Sequence, residues 1–290
     1  MQKRKKLVLL SLSIPAFLLI FIFMIVPLGN AVRVSFFRWN GYSQNMNFTG
    51  LENYISLFTD EVFWRSTINT FVYGFGSTLL QNILGLSAAL LVNRKFRGRN
   101  FVRAVLYMPI MISGIIMGAV MYYIFNYENG VLNNLLNLFG ISNIYWMGNG
   151  VQAVLIITLI NSWQTMGFCM LIYLAGLQNI PKTYKEAALL DGASKRQAFF
   201  KVDLPLLMPA ITTAVITNLI GGLKLYDIIV TLTNGGPNRK SLSLSYYISL
   251  LYFSDEKAGY SSAVGIALFV IIFIVAVPIN TFLRHREVEY

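Results

Sequence analysis

Six apolar runs in this chain contain no Asp, Glu, Lys or Arg, and they restrict its fold more than any other feature: residues 7–28, 68–92, 104–125, 151–177, 206–223 and 263–283. A bilayer core is about 30 Å thick, so a helix that crosses it needs about 20 apolar residues. A helix also satisfies its own backbone donors and acceptors, which lipid cannot do. The runs are too long for barrel strands and do not alternate apolar with polar residues. Charged residues make up 12% of the chain, against roughly 25% in a soluble domain, too few to cover a water-facing surface. The expected fold is all-α and integral to the membrane, six transmembrane helices in a single domain over residues 1–290. A soluble enzyme, a disordered chain and a disulfide scaffold are excluded. With one cysteine, Cys169, and one histidine, His285, the chain cannot close an internal disulfide. It lacks the ligands for a His/Cys zinc site, and with Cys169 inside an apolar run and His285 near the C-terminus, Cys–His or Ser–His–Asp catalysis is not expected. No metal site is expected.

Orientation follows from where Lys and Arg fall between the runs. The formal net charge is +11, which in a soluble protein would suggest nucleic acid; here the basic residues flank spans, so no nucleic-acid partner is expected. Sixteen basic residues lie on one side: Lys3, Arg4, Lys5 and Lys6; Arg94, Lys95, Arg97, Arg99 and Arg103; Lys182, Lys185, Lys195, Arg196 and Lys201; Arg284 and Arg286. On the other lie Arg33, Arg38, Arg65, Arg239, Lys240 and Lys257, with Lys224 at the end of the fifth run. Both termini are therefore expected in the cytoplasm, with Trp39, Trp64 and Trp146 in an aromatic belt on the outer side. The first run is too long for the apolar core of a cleaved signal and is read as retained, with Pro15 and Pro27 kinking the helix or marking its end.

The connections differ in character. Residues 29–67 read as a long outer loop rich in aromatics. Within 126–150, apolar positions from Val131 to Phe139 recur at helical spacing and suggest a short helix at the membrane surface. In 224–262, Asn234-Gly235-Gly236-Pro237-Asn238 is a turn. Lys224 and Asp227, three apart, can pair on a helix or serve a substrate or proton. The loop 181–205 is the most structured reading on the expected cytoplasmic side. Pro181 suits a helix start, Lys182 to Leu190 are good helix formers, and Asp191-Gly192 stops the helix. Ser194 then caps a second short helix, which Leu204-Pro205 ends. By composition alone this is a solvated helical loop.

The residues of that loop carry more. Glu186-Ala187-Ala188, three residues, Gly192, nine residues, then Val202, one residue and Leu204-Pro205 resemble the signature of membrane subunits of binding-protein-dependent ABC importers. The family usually has Ile at the position of Val202. Phe48 to Tyr54, Phe63-Trp64 and Asn69-Thr70 resemble the start of the oligosaccharide branch, and Tyr226-Asp227, Thr233 to Pro237 and Tyr246-Tyr247 resemble its loop before the last span. The Gly-Gly-Pro segment is similar to the first of the two unlike permeases that such importers carry. The resemblance implies a multi-pass permease of the bacterial cytoplasmic membrane that moves a sugar, an oligosaccharide by preference, by alternating access. It implies as partners a second permease, two copies of an ATP-binding subunit and an extracytoplasmic sugar-binding protein. It also implies that Glu186, Ala187, Ala188, Asp191 and Gly192 couple the spans to the ATPase. ATP and Mg belong to that partner, and no cofactor is expected on this chain. No Gly-Lys dipeptide occurs, so the phosphate loop of an ATPase is absent from it.

Charge-free spans weaken a gradient-driven carrier, which commonly places ionisable groups within them, and they suit an uncharged sugar. A membrane enzyme would need titratable groups there. A stand-alone secondary carrier and an ABC permease for another solute remain the competing readings. For the substrate path, polar residues within spans face the bundle interior. Asn161, Thr165 and Phe168 fall near one helical face with Gln164 beside them, and Asn218, Gly222 and Tyr226 lie four apart on another. Each can line the path or pack helix against helix.

Overall fold

The computed structural model describes residues 13–288. It divides into two compact units: residues up to Glu61 with Tyr247–Phe269, and Val62–Tyr246 with residues from Val270 onward. Residues 7–12 of the first expected span and Lys3 to Lys6 lie outside the described residues.

In the first unit, α1 (Ser13–Val34) is apolar all round, with none of its most apolar window buried in protein, as a helix in lipid should be. It runs six residues past the expected end at 28, straight through Pro27. The reason is a π-turn over Phe21–Ile25: the wider turn accommodates the missing N–H of proline without ending the helix. The expected loop 29–67 is correspondingly shorter and is folded. A two-residue hairpin, β1 (Phe37–Arg38) with β2 (Asn47–Phe48), pairs Phe37 opposite Phe48, and α2 (Glu52–Thr59) follows. Asn53 donates from Nδ2 to the carbonyls of Ser35 (2.8 Å) and Phe37 (3.0 Å), which fastens α2 to the end of α1. Asp60 Oδ2 accepts from the hydroxyls of Tyr247 and Tyr260, each at 2.6 Å.

The second unit is built on α3 (Glu61–Asn93) and α7 (Gly150–Asn179), of 33 and 30 residues. Val151, Leu155, Leu159 and Trp163, four apart, form an exposed apolar stripe on α7. Its buried side holds Thr158, Asn161, Ser162 and Gln164 beside Ile157 and Met170. Polar groups inside and apolar groups outside is the arrangement lipid demands. Small residues let the two helices approach: a Cβ on Gly85 would sit 2.8 Å from that of Cys169. Ala89, Val92, Cys169, Met170, Tyr173 and Leu174 complete this core with Leu207 and Ala214. Polar side chains of α3 also hold the segment before the last span. Asn69 donates to the carbonyls of Lys240 and Leu242, both at 2.9 Å, and Tyr73 donates to that of Ser241 at 2.8 Å.

Two expected spans are not single rods. The run 104–125 divides into α4 (Arg99–Met111) and α5 (Gly114–Phe125), bent by 98°. Pro109 sits in a 3-10 turn and removes a donor, and Ser113 caps α5 by accepting from the Ile116 N–H. The run 206–223 is joined to the loop before it: α9 (Lys195–Leu206) bends by 65° into α10 (Met208–Leu223). Pro205 therefore does not end the second short helix; the break falls at Leu207, which is buried. Between these pairs lie α6 (Val131–Asn137), as its periodicity suggests, and α8 (Lys182–Leu190), with Pro181 as cap rather than first helical residue. The chain continues through α11 (Asp227–Leu232), α12 (Leu244–Phe253) and α13 (Ala258–Arg284). Among the described residues, four helices are long and apolar enough to cross a membrane, or up to six if each bent pair is one span.

Candidate functional site

Two features stand along α7. The first is the signature loop at its C-terminal end. The exposed helix α8 carries Glu186 and Ala187 on its surface, and Leu190 is 89% exposed. The helix ends as its sequence requires. The N–H groups of Asp191, Gly192 and Ala193 return to the carbonyls of Ala187, Leu189 and Ala188, and Gly192 takes φ +85°, a left-handed conformation that favours glycine. A Cβ at Gly192 meets nothing within 4 Å, so the backbone alone demands glycine there. Ser194 and Gln197 then form a reciprocal capping box that starts α9. Lys185 Nζ lies 3.1 Å from Asp203 Oδ2, whose side chain is 10% exposed. This pair braces α8 against α9 across a cleft of about 310 Å³ that Asn93, Gln178 and Pro181 also line.

The second feature is a cavity of about 400 Å³ near the middle of α7, reached by the break between α4 and α5 and by the chain after α10. Asn161, Gln164, Thr165 and Tyr226 line it. Their roles differ. Gln164 Nε2 donates to the carbonyl of Ile112 at 2.8 Å, satisfying a backbone acceptor that the bend leaves bare. Thr165 Oγ1 donates to the carbonyl of Asn161 at 2.7 Å. The side-chain amide of Asn161 has no hydrogen-bond partner among the described residues, although the residue is 6% exposed. The ring of Tyr226 packs edge-on against Tyr246 at 5.5 Å. Burial, with Tyr226 beside it, raises the pKa of the Tyr246 phenol, and its O–H donates a hydrogen bond to Asn234 Oδ1.

Three expected path residues do not reach the cavity. Asn218 is buried, and Gly222 presses on α3, where a Cβ would sit 2.8 Å from the carbonyl oxygen of Tyr73. Phe168 is half-buried one turn beyond the lining. The four-residue stripe from Asn218 does not continue to Tyr226, because α10 stops at Leu223 and Tyr226 leaves helical geometry at φ −138°. Gly221 lines the cavity instead of Gly222. Lys224 and Asp227 also line it, yet no ion pair joins them among the described residues, since the helix that would align them has ended. Sequence reasoning missed Ile112, Ser113 and Gly114. The available signal was Ser113 as a cap four residues after Pro109, hidden inside a run without charge.

Residues 81–286 match the family described as the binding-protein-dependent transport system inner membrane component. The chain belongs to this family. As a permease of that family it has close curated relatives. The trehalose/maltose transport system permease protein MalF of Thermococcus litoralis is 35% identical over 259 residues, covering 89% of this chain and 88% of that one. The multiple sugar-binding transport system permease protein MsmF of Streptococcus mutans is 33% identical, with 88% of each covered. The permease fold is also seen in a crystal structure of a bacterial ABC transporter that imports the acidic polysaccharide alginate. That chain is 23% identical, with a TM-score of 0.83 over 97% of this chain and 96% of that one. The permease is thus a transport component with several membrane-crossing helices.

Proposed function

We propose that this permease is the transmembrane subunit of an ATP-driven importer that carries a sugar, an oligosaccharide by preference, across the cytoplasmic membrane. Its six spans have both termini in the cytoplasm. It works with a second permease, two ATP-binding subunits that hold ATP and Mg, and an external sugar-binding protein. The observation that carries the reading is the exposed helix α8, which presents Glu186 and Leu190 without cover from the described chain. A short helix locked by the Gly192 reversal and the Lys185–Asp203 brace transmits a push, whereas a flexible loop would absorb it. ATPase closure against Glu186, Ala187, Ala188, Asp191 and Gly192 tilts α7 and α9, and access to the cavity alternates. The sugar relatives and the uncharged amide of Asn161 favour a neutral polyol as cargo. The test is uptake by the reconstituted complex. Glu186→Lys and Gly192→Leu are expected to abolish uptake and co-purification of the ATPase while insertion stays normal. Unchanged uptake in both variants, or uptake by the chain alone that ignores ATP and collapses with an ionophore, overturns the reading.

A further inference from the structure

At the end of α7 farthest from α8 lies a pocket of about 430 Å³, within the roughly 300–1,000 Å³ typical of small-molecule sites. Its walls are aromatic: Tyr122, Tyr127, Tyr145 and Trp146, with Glu128 and Thr233 as polar groups among them. Tyr127 and Tyr145 meet edge to face at 5.3 Å, and Phe125 and Trp146 do so at 5.9 Å. In such a pair one ring keeps both faces clear of its mate. An aromatic belt at a membrane surface would need no more than this.

The pocket has more, because one fully buried side chain assembles it. Asn133 of α6, 0% exposed, donates to the carbonyls of Tyr127 and Ile144, each at 3.0 Å. Its Oδ1 accepts from the Ile144 N–H at 3.1 Å and from the indole Nε1 of Trp146 at 3.0 Å. Asn143 adds a bond to the Tyr127 carbonyl at 2.8 Å. The two aromatic segments are therefore held at a set separation and the Trp146 ring at a set angle, as a preorganised binding site requires. The pocket and the Asn161 cavity are lined from the same two helices, α5 and α11. On α5, Gly114 faces that cavity and Tyr122 faces this pocket; on α11, Asp227 and Leu232 do the same. Eight residues of α5 span about 12 Å. The two helices touch at Gly118, where a Cβ would collide with Thr231 Oγ1.

The geometry points to a second saccharide subsite in this pocket, one that takes a neutral sugar ring flat on an exposed aromatic face. Glu128 and Thr233 bind its hydroxyls, and the Asn161 cavity is the next station. An aromatic face offers apolar contact to the C–H side of a sugar while its phenol or indole edge stays polar. The Glu128 carboxylate selects against uronates. The inference rests on the sugar-importer reading.

The test uses the assembled importer with its binding protein, and separately the full chain in lipid nanodiscs titrated without it. The probes are trehalose, maltotriose, raffinose and arabinotriose, with trigalacturonate as the charged control. For the sugar that wild type takes up, Tyr145→Ala is expected to raise the half-saturating concentration about tenfold in both assays, while Tyr145→Phe, which keeps the ring, restores it. Glu128→Gln is expected to narrow the preference for neutral sugar over trigalacturonate. Unchanged uptake and binding in Tyr145→Ala and Glu128→Gln overturn the subsite and leave the importer standing. A defect seen only with the binding protein present, with binding to the chain unchanged, overturns it in favour of protein docking. If wild type takes up none of the neutral sugars, the importer reading and the subsite fall together.

Discussion

Three amide side chains that look alike in the sequence have three different tasks. Gln164 satisfies a broken backbone, Asn133 clamps two loops, and Asn161 lines a cavity. The sequence shows that a polar group lies in or beside an apolar run, which makes it interior or functional. It does not show which neighbour it meets. Asn218 looked equivalent to Asn161 and is instead enclosed, with Nδ2 lacking a partner among the described residues. Asn133 gives the sharpest residue-scale prediction. Asn133→Ala strips a partner from the Trp146 N–H and from four backbone groups, and each buried group left without another costs about 1–3 kcal/mol. Protease sensitivity between residues 126 and 149 is expected to rise sharply, with Trp146 emission shifted to the red. An unaltered digestion pattern would show that the clamp is not what orders these loops.

At the level of elements, local chemistry was legible wherever capping or glycine settled the matter. The Gly192 reversal, the Ser194 cap and the α6 segment all follow from neighbours within a few residues. Elements that depended on proline were less so. Pro27 is absorbed by a π-turn, whereas Pro109 helps break its run by 98°. The difference is non-local, because Gln164, 52 residues away, satisfies the carbonyl freed at Ile112. The Lys185–Asp203 brace was also invisible in the sequence, being a pair 18 residues apart. With Lys185 half exposed, the pair contributes little to stability, about 0–1 kcal/mol. Its expected effect is on the stiffness of α8. Lys185→Met should leave the melting temperature within about 2 °C, accelerate amide hydrogen exchange over residues 182–192, and lower sugar uptake per ATP hydrolysed. The double exchange Lys185→Asp with Asp203→Lys should restore both. Equal exchange rates in wild type and Lys185→Met would remove the brace from the coupling argument.

On the scale of the whole molecule, orientation is the property that charge counting addresses most directly. The excess of basic residues flanks α8 and the α3–α4 connection, so the positive-inside rule leads us to expect both in the cytoplasm. The buried Cys169 is the single native thiol, so introduced cysteines report cleanly. In intact cells an impermeant maleimide is expected to label Tyr145→Cys and to reach Leu190→Cys only after permeabilisation. The reverse pattern would invert the molecule and detach α8 from any cytoplasmic ATPase. From the sequence alone came the membrane class, the expected orientation, the helical loop and its resemblance to a transport family, because these depend on span length, charge placement and short-range caps. Only the tertiary structure decided which runs bend and which polar side chains share a cavity. In lipid, apolar sequence shows that a helix is immersed but does not show which face meets protein. That choice is made by partners tens of residues away, through hydrogen bonds such as Gln164 to Ile112 and close approaches such as Gly222 to Tyr73.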